Sequence, residues 1–219
     1  MENGPYLVSG SVPLEEKVIV NNGVENEYAE GQTFPQREEY ALCRCGHSKS
    51  MPFCDGTHIN AHFDGAETAS REPYLKEVDL IEGSDFMLSD AKKLCASARF
   101  CHKAHGDIWS LTDLSDNPER REEAIEAACD CPSGRLVAWD KKTGEAIEPA
   151  YEPSIVVIQD PDRQCYGPIW VRGGIPIESL DGSVYEIRNQ VTLCRCGESV
   201  NKPFCDASHI NAESSYVKK

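Results

Sequence analysis

The sequence predicts a β-rich α+β fold: two copies of a short strand-and-cysteine unit, with a small α/β segment inserted between them. Three observations carry this expectation. The stretch LCRCGHSKSMPFCDGTHINA at Leu42–Ala61 returns without a gap as LCRCGESVNKPFCDASHINA at Leu193–Ala212, and self-similarity of this kind marks a duplicated structural unit. Upstream of each copy, GPYLVSGSVPLE from Gly4 is echoed by GPIWVRGGIPIE from Gly167, with Gly, Pro, Val, Gly, Pro and Glu in register. The interval 63–162 belongs to neither copy and has its own cysteines, Cys95, Cys101, Cys129 and Cys131.

The chain thus divides into a first repeat at 1–62, an insert at 63–162 and a second repeat at 163–219. The upstream segments alternate or run apolar between Gly and Pro, as short strands do, and their shared proline suits a strand end or edge. The first copy has the longer connection between strand and cysteines, and the polar stretch NNGVENEYAEGQ from Asn21 is the place for the extra residues. Within the insert, Asn117 and Pro118 read as the N-cap and first position of a helix that runs to Ala128 with Ile125 inward. The helix ends at Cys129 and Cys131, before Pro132 and Gly134. The apolar run Ser154 to Gln159 then reads as a strand leading back to the second repeat.

At 219 residues the chain can bury a core without staples, so size alone does not call for metal. Its 22 basic against 37 acidic residues leave a net charge of −15, which repels a phosphate backbone and argues against nucleic acid. There is no run of about eighteen apolar residues, and MENGPYLVSG lacks both a basic start and an apolar signal core, so no membrane is expected and the location reads as cytoplasmic. Eleven cysteines, an odd number, in such a chain argue for metal ligation over disulfides. Nothing resembles a Gly-rich nucleotide loop, a nucleophile elbow or a catalytic carboxylate pair, so a carrier is expected and not an enzyme.

The first constellation is Cys43-x-Cys45, Cys54 and His58, and the second is Cys194-x-Cys196, Cys205 and His209. Each is a complete donor set for a metal centre. Cysteines two apart on an extended strand point to the same side, so such a pair can grip one metal. The Cys and His four apart meet on one face if they lie on a helical turn. Asp55 and Asp206, between these ligands, are placed to cap that turn or to orient the histidine.

Both stretches resemble the CDGSH iron-sulfur domain family, whose best-known members are the mitoNEET proteins. The resemblance rests on Cys43, Cys45, Ser48, Pro52, Cys54, Asp55, Gly56, Thr57 and His58, and on Cys194, Cys196, Ser199, Pro203, Cys205, Asp206, Ser208 and His209. Ala207 stands where the family has Gly. The resemblance implies one [2Fe-2S] cluster per motif, with two cysteines on one iron and Cys plus His on the other, and two motifs paired about a two-fold axis. In one chain this is an internal pseudo-dimer within a monomer. A structural Cys3His zinc site is the alternative use of the same ligands.

In the insert, Cys95-x5-Cys101 followed after a helix by Cys131-Pro132 resembles a divergent single-cluster ferredoxin segment, with Ala98 where the middle cysteine of the loop would stand. Three thiolates, Cys95, Cys101 and Cys131, are the complement of a [3Fe-4S] centre. Cys129 is a candidate fourth, which would suit [4Fe-4S] or else pack beneath the loop. His102 and His105 are near in sequence. A zinc site or a vestigial cysteine cluster are the competing readings. Cys165 reads as a small core residue, and His47 and His62 as surface residues. Arg44 and Arg195 follow the first cysteine of each copy, where each is a donor to sulfide or a plain surface cation.

The expected function is electron transfer, coupled to protons through the outer nitrogen of each histidine. The expected partner is a redox protein, or an apo-acceptor if the protein stores and delivers clusters. A redox sensor acting through a protein partner is the third reading.

Overall fold

The chain begins with β1 (Tyr6–Ser9), β2 (Leu14–Asn21), β3 (Asn26–Thr33) and β4 (Glu39–Leu42), followed by the first cysteine loop and one helical turn, α1 (Thr57–Asn60). The insert contributes β5 (Asp79–Glu82), β6 (Phe86–Asp90), the short strands β7 (His102–Lys103) and β8 (Gly106–Asp107), α2 (Ile108–Asp113), α3 (Pro118–Cys129), β9 (Leu136–Asp140) and β10 (Ala146–Ile147). Then come β11 (Ser154–Asp160), β12 (Cys165–Arg172) and β13 (Gln190–Leu193), which leads into the second cysteine loop. The computed structural model describes residues 3–212, so the ends of both repeats, 1–2 and 213–219, lie outside it.

Strands outnumber helices, as a β-rich α+β fold requires. The two repeats place their strands alike. In the first, Tyr6 faces Leu42 and Val8 faces Tyr40 across the antiparallel β1–β4 pair. In the second, Ile169 faces Leu193 and Val171 faces Val191 across β12–β13. Bridges Leu42–Phe53 and Leu193–Phe204 fold each cysteine loop back onto its own strand. These two strand pairs thus lie each within its own half.

A five-stranded sheet ordered β13-β12-β11-β2-β3 joins the halves. β11 is its centre and runs parallel to β2. Its alternate residues serve two cores. Ile155 and Val157 pack with Leu14, Leu42, Ile169 and Leu193 beneath the β1–β4 pair, and Val156 and Ile158 pack on the other face with Ile19, Phe100 and Trp170. A strand buried on both faces needs an unbroken apolar run, which is what Ile155–Ile158 supplies. Although β11 falls within 63–162, it belongs to the sheet of the repeats, and the insert's own sheet, ordered β10-β9-β6-β5, ends before it.

The polar stretch from Asn21, the place expected for the extra residues, is mostly β3, paired antiparallel with β2 through Val18–Ala29 and Val20–Glu27. It is an edge strand with one side open to water, so its glutamates need no burial. In α3, Asn117 caps as expected, accepting from the amides of Glu119 and Arg120 at 2.9 and 3.3 Å. The fully buried face is Ala124, Ala127 and Ala128, and Ile125 packs inward against the same core, partly covered. Small side chains let the helix come close to Phe86, Leu88 and Leu136 of the sheet below.

Candidate metal centres

Each CxC pair directly follows a strand, β4 or β13, and its thiols turn to the same side. The sulfurs of Cys43 and Cys45 are 3.6 Å apart, and those of Cys194 and Cys196 are 3.7 Å apart. Two sulfurs bound to one tetrahedral metal at about 2.3 Å stand roughly 3.8 Å from each other. Cys54 Sγ lies 3.3 Å from His58 Nδ1, and Cys205 Sγ lies 3.4 Å from His209 Nδ1. Among the described residues, no three Cys, His, Asp or Glu side chains converge on a single ion. The donors come in twos.

The Cys–His pairs do not share a helical face, because Cys54 precedes α1 and the second site has only a 3-10 turn at Ser208–Ile210. A left-handed residue between the two donors makes the approach instead: Gly56 at φ 86° and Ala207 at φ 70°. A Cβ on Gly56 would meet nothing within 4 Å, so glycine is suited there by conformation and not by space. Ala207 bears the cost of that conformation, about 1 kcal/mol. Ala207→Gly is expected to stabilise the chain by roughly 0.5 kcal/mol in chemical denaturation, glycine's larger unfolded entropy offsetting part of the gain. A destabilised variant would contradict a left-handed backbone at this position.

Asp55 and Asp206 brace the loops and do not orient the histidines. Asp55 accepts from the amides of Thr57 at 3.0 Å and Lys49 at 2.8 Å. Asp206 repeats this with Ser208 at 3.0 Å and Val200 at 2.8 Å. Ser48 and Ser199 donate across their loops to the carbonyls of Phe53 and Phe204 at 2.6 and 2.7 Å.

In each CxC pair the first thiol is set to surrender its proton, while its hydrogen-bond partner, Cys45 or Cys196, is held up as the donor. The hydrogen bond from Cys45 and backbone amides of the loop lower Cys43 to about 6 against the pull of burial, and the corresponding bond from Cys196 lowers Cys194 to about 7. The two sites differ at the histidine. His58 is half-buried, whereas His209 is 4% exposed, and burial pushes it down to about 4. Cys205 is likewise buried and its thiol is pushed up by that burial.

The two loops pack against each other reciprocally. A Cβ on Gly46 would lie 2.5 Å from the Cys196 carbonyl oxygen, and one on Gly197 would lie 2.8 Å from that of Cys45. Glycine is needed at both places for the backbones to approach so closely. Tyr6 reaches across the same joint, its hydroxyl donating to the carbonyls of Cys194 at 2.9 Å and Pro203 at 3.1 Å. Its position in a strand like any other hid this role from the sequence. The two arginines of the CxC pairs part company: Arg44 donates to the Gly4 carbonyl at 2.5 Å and lies over the rings of Tyr6 and Phe63. Arg195 is buried.

In the insert, Cys95, Cys101 and Cys131 line one cavity of about 230 Å³ with Trp109 and Arg135. Ser97 and Arg99 take left-handed backbone angles, φ 53° and 67°, which coil the 95–101 loop around it. The loop is fastened to β11: Arg99 forms a two-pronged pair with Asp160 at 2.7 and 3.1 Å, and Ala98 and Phe100 are buried against Val156 and Ile158. Arg135, which sequence reasoning passed over, pairs with Asp90 at 2.6 and 2.9 Å and lies over the Trp109 ring. Burial opposes its charge, but Asp90 and a hydrogen bond to Cys95 keep it protonated.

Cys129 is not brought to this cavity. It ends α3, and its thiol faces the Ile147 carbonyl at 3.5 Å. Ending the helix at Cys129 turns successive side chains to different sides, so two cysteines two apart separate. His102 borders the cavity, while His105 pairs with Glu123 at 2.5 Å. Cys165 is a buried residue at the start of β12, and His47 and His62 are exposed. The insert docks on the second repeat: Asn201 donates to the Lys93 carbonyl at 3.3 Å, and Gln190 to that of Cys129 at 3.1 Å.

Family models match three segments of the chain. The family model described as an iron-binding zinc finger of CDGSH type matches residues 3–59 and 166–210. The model described as a divergent 4Fe-4S mono-cluster matches residues 81–141. No curated protein and no solved structure matches the chain.

Proposed function

We propose that this iron-sulfur protein, with its two CDGSH segments flanking a divergent 4Fe-4S segment, is a one-electron carrier with three clusters. Two are [2Fe-2S] clusters, one per CDGSH loop, held by Cys43, Cys45, Cys54 and His58 and by Cys194, Cys196, Cys205 and His209. The third, with three or four irons, is held by Cys95, Cys101 and Cys131. The observation that carries the reading is the arrangement of donors in twos, 3.6 and 3.3 Å in one loop and 3.7 and 3.4 Å in the other. A mononuclear zinc site would need all four donors about one point, whereas a binuclear group takes them as two pairs.

Bound clusters of this kind supply one-electron exchange. The residues around them supply the rest. The loop amides and the CxC hydrogen bonds favour thiolate at Cys43 and Cys194. His58, half-buried with Nδ1 on the ligand side, can hold a proton at Nε2, while His209 is shielded from solvent. The reciprocal glycine contacts support a pseudo-two-fold pairing of the loops inside one monomer. The partner proposed is a redox protein, and a charge of −15 favours a basic docking face on it.

The exposure of His58 favours one second reading, delivery of the first cluster to an apo-acceptor. Anaerobically purified protein is expected to contain iron and acid-labile sulfide in near-equal amounts. Zinc without sulfide would overturn the reading.

A further inference from the structure

Tyr6 stands in β1 of the first repeat, yet its hydroxyl is bound to the second metal loop. The oxygen lies 2.9 Å from the Cys194 carbonyl and 3.1 Å from that of Pro203, so its one proton is shared between them. These carbonyls belong to the two arms of the second donor set. Cys194 begins the CxC pair, and Pro203 stands two residues before Cys205. The backbone already laces the arms together: the Cys194 amide donates to the Pro203 carbonyl at 2.8 Å, and the Cys205 amide to that of Thr192 at 2.8 Å.

The first loop has the same lacing, Cys43 to Pro52 at 2.9 Å and Cys54 to Ala41 at 3.0 Å. It does not receive the same clamp from the matching position. Where GPYLVSG meets GPIWVRG, Tyr6 corresponds to Ile169, which has no hydroxyl and is buried in the apolar core. The Tyr6 ring is also held from the first loop, because the guanidinium of Arg44 lies 5.5 Å from its centroid.

We propose that Tyr6 is a positioning residue for the second CDGSH site, pinning its CxC arm to its Cys–His arm and so setting how firmly that site keeps its metal group. This rests on the cluster reading above. A donor set carried on two arms lets go when the arms part, and a hydrogen bond across them opposes the parting. The first repeat thus secures the second site through a residue whose match in the second repeat has no such bond to give.

The test is acid-driven loss of visible cluster absorbance at pH 5.5 from anaerobically purified holoprotein, joined to paramagnetic spectra of the reduced protein. Tyr6→Phe is expected to speed loss from the second site about fivefold, the effect of one hydrogen bond. The rate is read in a His58→Cys background, which suppresses the first-site phase. In the otherwise unaltered chain the first-site phase should keep its rate. The signal that His209→Cys shifts should broaden, and the signal that His58→Cys shifts should not. Tyr40→Phe is the control for plain stability, since its hydroxyl donates to the Val12 carbonyl at 3.0 Å and not to a metal loop. It should leave both phases and both signals in place. Equal acceleration of both phases, no acceleration, or the same effect from Tyr40→Phe would overturn the proposal. If Tyr6→Phe assembles without the second cluster, about two irons fewer with the first-site signal present, the proposal is supported; loss of both clusters refutes it. Wild-type protein lacking sulfide would instead overturn the cluster reading itself.

Discussion

Replacing Cys131 with Ser is expected to abolish the third cluster while leaving the other two intact. Cys95, Cys101 and Cys131 are the thiols that share the cavity of about 230 Å³, and removing one leaves two, too few to hold a cluster of three or four irons. The hydroxyl is a poor substitute, because serine stays protonated at neutral pH where a cysteine is readily deprotonated by metal. Iron content should fall by about three or four atoms per chain, with loss of the [3Fe-4S] or [4Fe-4S] paramagnetic signal and retention of the [2Fe-2S] signals. Cys129→Ser is the control. Its thiol faces the Ile147 carbonyl, so iron content and spectra should stay as they are. Unchanged iron in Cys131→Ser would make the insert purely structural, and loss in Cys129→Ser would mean that the 129–131 turn rearranges around the metal.

Acid should remove the two CDGSH clusters at unequal rates, the first site losing its cluster sooner. A ligating imidazole competes with protons, and the two imidazoles meet protons on different terms. His58 is half-buried, whereas His209 is 4% exposed and burial lowers it to about 4. The more exposed ligand is reached by protons more readily than the shielded one, so loss at the second site is expected to be the slower of the two at pH 5.5. His58→Cys should remove the fast phase and His209→Cys the slow one, monitored by loss of the visible cluster absorbance. A single phase insensitive to His58→Cys would contradict the assignment. The metal-free chain has a linked behaviour. Because His209 titrates lower when folded than when unfolded, the unfolded state binds more protons between about 6.5 and 4. Its stability should therefore fall as pH drops through that window, by an amount on the order of 3 kcal/mol.

The sequence carried the two Cys-Cys-Cys-His constellations, the duplication and the helix capped by Asn117, because each depends on neighbours within a few positions along the chain. Leu42–Ala61 and Leu193–Ala212 state their donors and spacing outright. The apolar run that makes Ile155–Ile158 a strand is equally local, and so is the αL position shared by Gly56 and Ala207, which the Gly-to-Ala difference already singled out.

What the sequence by itself determined is which atoms can bind metal; what only the tertiary structure decided is how those atoms are grouped, shielded and charged. The similar loops at 42–61 and 193–212 differ in the exposure of His58 and His209, and the turn that carries His209 packs against β12. Arg44 and Arg195 occupy the same motif position, yet one bonds the chain start at Gly4 and the other is buried beside Tyr166, since their surroundings come from different parts of the chain. Cys129 stood on paper as a candidate fourth beside Cys131, and the end of α3 turns it to Ile147 while Cys131 faces the cavity. Burial and electrostatic environment are sums over residues distant in sequence, so no local pattern can state them.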